Sequence, residues 1–139
     1  MRAYDGILPT TVLTEWLLGH FALSDPGRFM DFVYLGGSLP VDEIAGAAPI
    51  VLQAAEKGDA AALAIVKEGA RSLSDMVRAL AAKMGLEMFH LGTAGGLIVS
   101  SAFYRGYVAE ELARVLPGVS ITLPLYEPCV GAMILSADL

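Results

Sequence analysis

The order of patterns along this chain predicts a helix-rich α/β fold with few strands: several packed helices, then one parallel βαβα unit near the C-terminus. Three observations carry that prediction. Residues 60–84 hold one long amphipathic helical pattern. Strand-type patterning appears only after Gly85, in two short stretches. Each strand runs into a helical segment, the first across a glycine cluster, so the two strands are expected to be parallel neighbours joined by a right-handed crossover.

Taken in order, Asp5-Gly6 and Pro9-Thr10-Thr11 are turn and cap residues, and Leu13, Trp16, Leu17 and Phe21 then recur at helical spacing. Ser24-Asp25-Pro26 sets a cap with proline at the first helical position. Phe29, Phe32 and Val33 give that second helix its stripe, and Gly36-Gly37 stops it. Asp42 to Lys57 is helical by pattern, with Pro49 expected to kink it or divide it in two. Gly58 ends the segment and Asp59 caps the next.

That next helix, Ala60 to Met84, repeats Leu63, Val66, Ala70, Leu73, Val77, Leu80 and Met84 at steps of three and four, with Lys67, Glu68, Arg71, Asp75 and Arg78 on the other side. Gly85 is its left-handed stop. Leu86 to Leu91 reads as a strand and leads into Gly92-Thr93-Ala94-Gly95-Gly96. A helix follows from about Ser101 to Leu116, ended by Pro117-Gly118. Val119 to Leu123 is β-branched and strand-like, and Pro128 opens a last helix of small and apolar residues. Two strands are few for a parallel sheet, which is normally wider and covered on both faces.

Composition points the same way. Of 139 residues, 55% are hydrophobic and 17% charged, with a mean hydropathy of +0.60. Disordered chains are poor in apolar residues and rich in charge, so disorder is excluded. No run approaches the ~18 apolar residues of a membrane span. The chain therefore reads as one domain, residues 1–139, carrying more apolar surface than its own core needs. A net charge of −6 argues against a nucleic-acid partner, whose phosphates demand a cationic face. The single cysteine, Cys129, reads as a small buried hydrophobe, and Met1 to Gly6 lead into a turn and not into a signal peptide's apolar core. The expected location is the cytoplasm.

Residues that could carry chemistry are few. Gly92-x-x-Gly95-Gly96 lies between strand and helix, where α/β proteins place ligands. Such a cluster is either a tight structural turn or a backbone surface that a nucleotide approaches. It is not GxGxxG, and no lysine follows as in a P-loop. His20 and His90 lack ligand partners at metal spacing, Ser100 and Ser101 fit helix capping, and Asp42, Glu43, Glu56, Glu110 and Glu111 sit on polar helix faces. No catalytic constellation and no metal site is predicted.

The pieces in sequence are Tyr4-Asp5-Gly6 with Pro9-Thr10, the run from Ala54 to Val66 (AAEKGDAAALAIV), Ala94-Gly95-Gly96-Leu97, and Pro128-Cys129-Val130-Gly131-Ala132. Together they resemble the C-terminal lobe of the BadF/BadG/BcrA/BcrD-type ATPases and N-acetylglucosamine kinases, members of the actin, sugar kinase and heat-shock-protein ATPase superfamily. The resemblance spans essentially the whole chain and is most specific in the AAEKGDAAALAIV run. It implies a partial ribonuclease-H-like lobe in which Gly95 and Gly96, with Leu97 at the edge, contact the adenosine of ATP. It also implies that Gly131-Ala132 lets the last helix approach the sheet, and that Leu97 to Ser101 form a loop.

The departures are equally informative. The family's Asp-Gly-Gly-Gly-Thr phosphate hairpin, its acidic base and its second glycine-rich phosphate loop do not occur in this sequence. Phosphoryl transfer depends on positioning and on charge neutralisation around Mg²⁺, so ATP with Mg²⁺ and a sugar substrate are expected only once an N-terminal lobe is supplied. The reading is the adenosine-contacting part of an ATP-dependent sugar kinase, inactive alone. Its alternative is a non-catalytic helical interaction or oligomerisation protein derived from that lobe. Either way a partner lobe or a homo-oligomer is expected, and neither nucleic acid nor membrane.

Overall fold

Capping residues and glycines divide the chain where the pattern changes. The computed structural model describes residues 10–30 and 40–137. Its elements are α1 (Val12–His20), α2 (Arg28–Met30), α3 (Val41–Ala45), α4 (Ala48–Glu56), α5 (Ala60–Met84), β1 (Phe89–Gly92), α6 (Gly96–Ser100), α7 (Ala102–Val115), β2 (Val119–Thr122) and α8 (Pro128–Ala137). This is the helix-rich α/β class that the patterns predict. The backbone divides within α5 into two compact units, Met1–Ser72 and Leu73–Leu139.

In the first unit α1 packs against α4, and Leu13, Leu52, Ala54 and Ala55 are buried. The Lys57 ammonium lies 4.5 Å from the centre of the Trp16 ring, a contact worth about 0.5–1 kcal/mol when exposed. The break between α3 and α4 falls at Gly46-Ala47, and Pro49 occupies the first turn of α4. There its missing N–H costs nothing. The predicted division into two short helices is what forms.

The most specific run in the sequence has a local physical reason. Gly58, at φ +86°, takes the left-handed conformation that ends α4. Its N–H donates to Ala55 O (2.9 Å) and that of Asp59 to Ala54 O (3.0 Å), the paired bonds of a Schellman stop. The Asp59 carboxylate then caps α5. Its Oδ1 accepts from the N–H groups of Ala61 and Ala62, both at 3.0 Å. Its Oδ2 accepts from Leu13 N–H at 3.0 Å, so one side chain serves the first turns of both α5 and α1.

The second unit is built on β1 and β2, which pair in parallel with Phe89 opposite Val119 and Gly92 opposite Thr122. Phe89, Leu91, Val119 and Ile121 form the half-buried face, while His90, Gly92, Ser120 and Thr122 face outward. α7 packs against β2 and α6 and buries Val108 and Leu112. Ahead of β2, a Cβ on Gly118 would stand 2.6 Å from Glu87 O. Glycine there lets the two strand entries approach.

Several expectations are corrected. β1 begins at Phe89, not Leu86, because Leu86 to Met88 form the bend after the Gly85 stop. The stretch Leu97 to Ser101 is not a loop, since its first four residues belong to α6. The buried row of α5 is Ala62, Val66, Ala70, Ser74 and Ala81, while Leu80 and Met84 are about 60% exposed. Cys129 is exposed, not buried. The expected approach of α8 to the sheet at Gly131 is not found among the described residues, where a Cβ there would meet no atom within 4 Å. Asp5-Gly6, Pro9, Phe32, Val33 and Gly36-Gly37 lie outside the described residues. Among those described, no helix is long and apolar enough to cross a membrane.

Candidate functional site

The C-terminal end of β1 runs past a cleft at Gly92, Thr93 and Ala94 into the turn at Gly95. Beyond Gly92 the strand direction continues for one residue, as Thr93 N–H donates to Thr122 O at 3.2 Å. Thr93 is 8% exposed, and its hydroxyl leans on the same carbonyl at 3.4 Å. The chain then turns at Gly95, φ +109° and ψ 142°, a conformation open essentially to glycine alone. α6 starts directly after it, and Gly95 O accepts its closing bond from Val99 N–H at 3.1 Å.

Both glycines are exposed, and among the described residues a Cβ built on Gly95 or Gly96 meets nothing within 4 Å. Leu97 is 37% exposed at the rim, and Ile98 is buried beneath. The structure therefore places Gly95, Gly96 and Leu97 on one surface at the strand end.

That surface is braced from behind. The Arg105 guanidinium donates through Nη1 to Ile98 O at 2.8 Å and to Val99 O at 3.0 Å, satisfying carbonyls at the α6 terminus. The Ser100 hydroxyl donates to Gly96 O at 2.6 Å, and Ser101 Oγ accepts from Tyr104 N–H at 3.1 Å as the cap of α7. Ser101 thus caps α7 as expected, whereas Ser100 bonds back to the carbonyl four residues earlier within α6 and caps no helix. Arg105 is the group that sequence reasoning missed. Its bonds go to main-chain oxygens six and seven residues back, a relation that no residue-type pattern reports.

Beside the turn lies a cleft of about 170 Å³, walled by Leu73 and Val77 of α5, Leu91 of β1, Ile98 and Val108, and opening at Thr93 and Ala94. None of its lining residues is charged. Complete small-molecule sites span roughly 300–1,000 Å³, so the cleft has the size of one side of such a site. Its apolar wall suits a flat ring, while Gly95, Gly96 and Leu97 follow Ala94 in sequence without lining the cleft themselves. Nothing in it suits a polyphosphate.

The remaining candidates do not converge on this cleft. His90 projects from the outward face of β1 and pairs across the sheet with Ser120, Nδ1 to Oγ 2.7 Å. His20 is exposed in the first unit beside Asp42 and Glu43. Asp42, Glu43, Glu56 and Glu110 are exposed on their helices, and Glu111 pairs with Arg114 at 2.8 Å. Among the described residues no three His, Cys, Asp or Glu side chains are grouped to hold a metal ion.

Set against known proteins, the chain matches no family model. It is 24% identical over 141 aligned residues to a protein named N-acetyl-D-glucosamine kinase from Dictyostelium discoideum, an alignment covering 99% of this chain and 44% of that protein. The chain thus spans less than half the length of the curated relative it matches. That similarity, running almost end to end through these residues, marks a distant relationship to a sugar kinase.

Proposed function

We propose that these 139 residues form the adenosine-contacting portion of an ATP-dependent sugar kinase, with Gly95, Gly96 and Leu97 as the nucleotide contact. The observation that carries the reading is the turn at Gly95. A glycine-only conformation holds bare backbone at the C-terminal end of a parallel strand, beside an uncharged cleft. Ligands of open α/β sheets bind at that end of the strands. The distant similarity to an N-acetyl-D-glucosamine kinase supports ATP as the nucleotide and an amino sugar as the phosphoryl acceptor.

The residues fit a nucleoside better than its phosphates. The cleft has room and polarity for a base, with main-chain groups at its mouth. No cationic side chain lines it, and the family's phosphate hairpin and catalytic acid have no counterpart in the sequence. Phosphate, Mg²⁺ and sugar contacts therefore belong to a lobe outside these residues, and the chain by itself is expected to be inactive.

Titrating ADP to millimolar concentration into the isotopically labelled chain, followed by amide NMR, tests the contact. Signals from Thr93 to Leu97 are expected to move, with weak saturation, because one side of a site binds weakly. Unmoved signals there, or larger shifts elsewhere, overturn the assignment of the contact. A parallel assay of ATP-dependent phosphorylation of N-acetylglucosamine is expected to show no turnover. Measurable kinase activity from this chain alone would sink the division of labour proposed here.

The second reading, a non-catalytic interaction protein, is favoured by the exposure of α8. Val130, Met133, Ile134 and Leu135 are all more than a third exposed.

A further inference from the structure

Arg105 lies in the first turn of α7 and is half-buried. Its guanidinium reaches back along the chain to the end of α6, where the carbonyls of Ile98 and Val99 both accept from Nη1, at 2.8 and 3.0 Å. Carbonyls in the last turn of a helix have no partner within it, and the chain leaves α6 at Ser101 in extended conformation, φ −100° and ψ 104°. Arg71, Arg78 and Arg114 each pair with a carboxylate on their own helix. Among the described residues Arg105 gives its hydrogen bonds to main-chain oxygens instead.

α6 does not hold its shape by itself. It has five residues, and isolated helices shorter than about 12–15 residues are marginal in water. Contacts with the rest of the unit fix it. The Ile98 side chain is buried, and Arg105 holds the carbonyl of that same residue. Ile98 is one wall of the cleft beside the Gly95 turn, and Val108, which follows Arg105 on α7, is another. Arg105 therefore ties together two helices that each supply a wall.

We propose that Arg105 is a positioning residue of the nucleotide site, holding α6 on α7 so that the cleft keeps its shape. The inference rests on the reading of the turn and cleft as a nucleotide contact. The cleft measures about 170 Å³, and in a close-packed wall a displaced Ile98 changes which ring fits. Without Arg105 the two carbonyls turn to water, and α6 is formed for only a fraction of the time. The apparent dissociation constant of a ligand then rises by the inverse of that fraction. The guanidinium acts through Ile98 and touches no ligand.

Arginine suits this task for two reasons. Its fork presents donors in a fixed plane, and its stem covers apolar surface. Lysine ends short of the Nη1 position and carries a strongly hydrated ammonium. Methionine keeps an unbranched stem and has no donor. The two substitutions therefore separate the hydrogen bonds from the packing of the stem.

Arg105→Met and Arg105→Lys are compared with the parent chain, first without ligand and then against ADP. Without ligand, amide hydrogen exchange is read at Val99 and Ser101, whose N–H groups donate to Gly95 O and Leu97 O and close α6. Arg105→Met is expected to speed exchange at both amides at least about fivefold and to leave Val108 and Leu112 unchanged. The Cα shifts of residues 96–100 are expected to move toward coil values. With ADP, the initial slope of the Thr93 to Leu97 amide shifts is expected to fall at least about fivefold. Arg105→Lys is expected to lie between the parent and Arg105→Met in every measurement. Should Arg105→Met fail to fold, Arg105→Lys carries both arms, with changes of about twofold expected. Exchange at Val99 and Ser101 like the parent's, an ADP slope like the parent's, or protection lost equally at Val108 and Leu112 would each overturn the inference. So would a weaker ADP response with α6 exchange unchanged, which marks a direct contact. A parent chain that gives no ADP response overturns the nucleotide reading and this inference with it, a failure told apart from the others because it lies in the parent's own titration.

Discussion

Asp59 shows how much organisation one side chain can hold. It accepts from Ala61, Ala62 and Leu13 main-chain N–H groups. Partial burial pushes its pKa up, and the bonds from Ala62, Leu13, the Thr11 side chain and Ala61 outweigh that and leave it below the ordinary 3.8. A carboxyl that ionises more readily folded than unfolded stabilises the fold fully above the unfolded value. That contribution disappears as the pH falls through the lower folded value. Chemical denaturation at neutral pH and again near pH 3 should therefore show the difference between the parent chain and Asp59→Ala shrinking in acid. At neutral pH the substitution is expected to cost about 1–2 kcal/mol, the usual worth of a helix cap. Gly95 and Gly96 make a second pair to compare. Alanine at Gly95 must adopt φ +109° and should cost about 1–3 kcal/mol in denaturant stability. Alanine at Gly96, in helical conformation with open space around its Cβ, should cost little. An equal loss at both positions would contradict the backbone geometry.

At the level of elements, the small residues decide how closely segments approach. The buried row of α5 consists of Ala62, Val66, Ala70, Ser74 and Ala81, so neighbours lie near its backbone. The larger Leu80 and Met84 are left outward. Periodicity alone put Leu80 and Met84 inside, because both lie on a stripe with the right spacing. Which of two adjacent stripes faces inward depends on the shape of what it meets. Gly118 is the sharpest example of close approach. Its missing Cβ makes room for the Glu87 carbonyl and the Met88 side chain. Gly118→Ala is expected to destabilise the chain by about 1–3 kcal/mol through overpacking, measured as a lowered denaturation midpoint with the slope unchanged. Glu68–Arg71 and Asp75–Arg78 are exposed i,i+3 pairs, each worth about 0–1 kcal/mol. Removing one should leave that midpoint nearly unmoved.

For the molecule as a whole, the apolar surplus in the composition has a location. Among the described residues seventeen large apolar side chains are exposed, several of them on and just before α8. The segments that were legible beforehand are those with local causes. α5 begins and ends where Asp59 and Gly85 place it, α4 stops at Gly58, and β1 and β2 pair in parallel because each is followed by a helix. The glycine turn was legible as a feature, while its two readings, tight turn or ligand surface, were not separable by spacing. Capping, glycine conformation and apolar periodicity act over a few residues, so the sequence by itself determined the elements, their order and the parallel pairing. Tertiary structure alone decided that Gly95 and Gly96 face open space, that Arg105 braces α6 from behind, and that Cys129, Leu80 and α8 lie outside the core. Each of these depends on which surfaces meet across long separations in sequence, and packing shape and desolvation settle that only once the chain has folded.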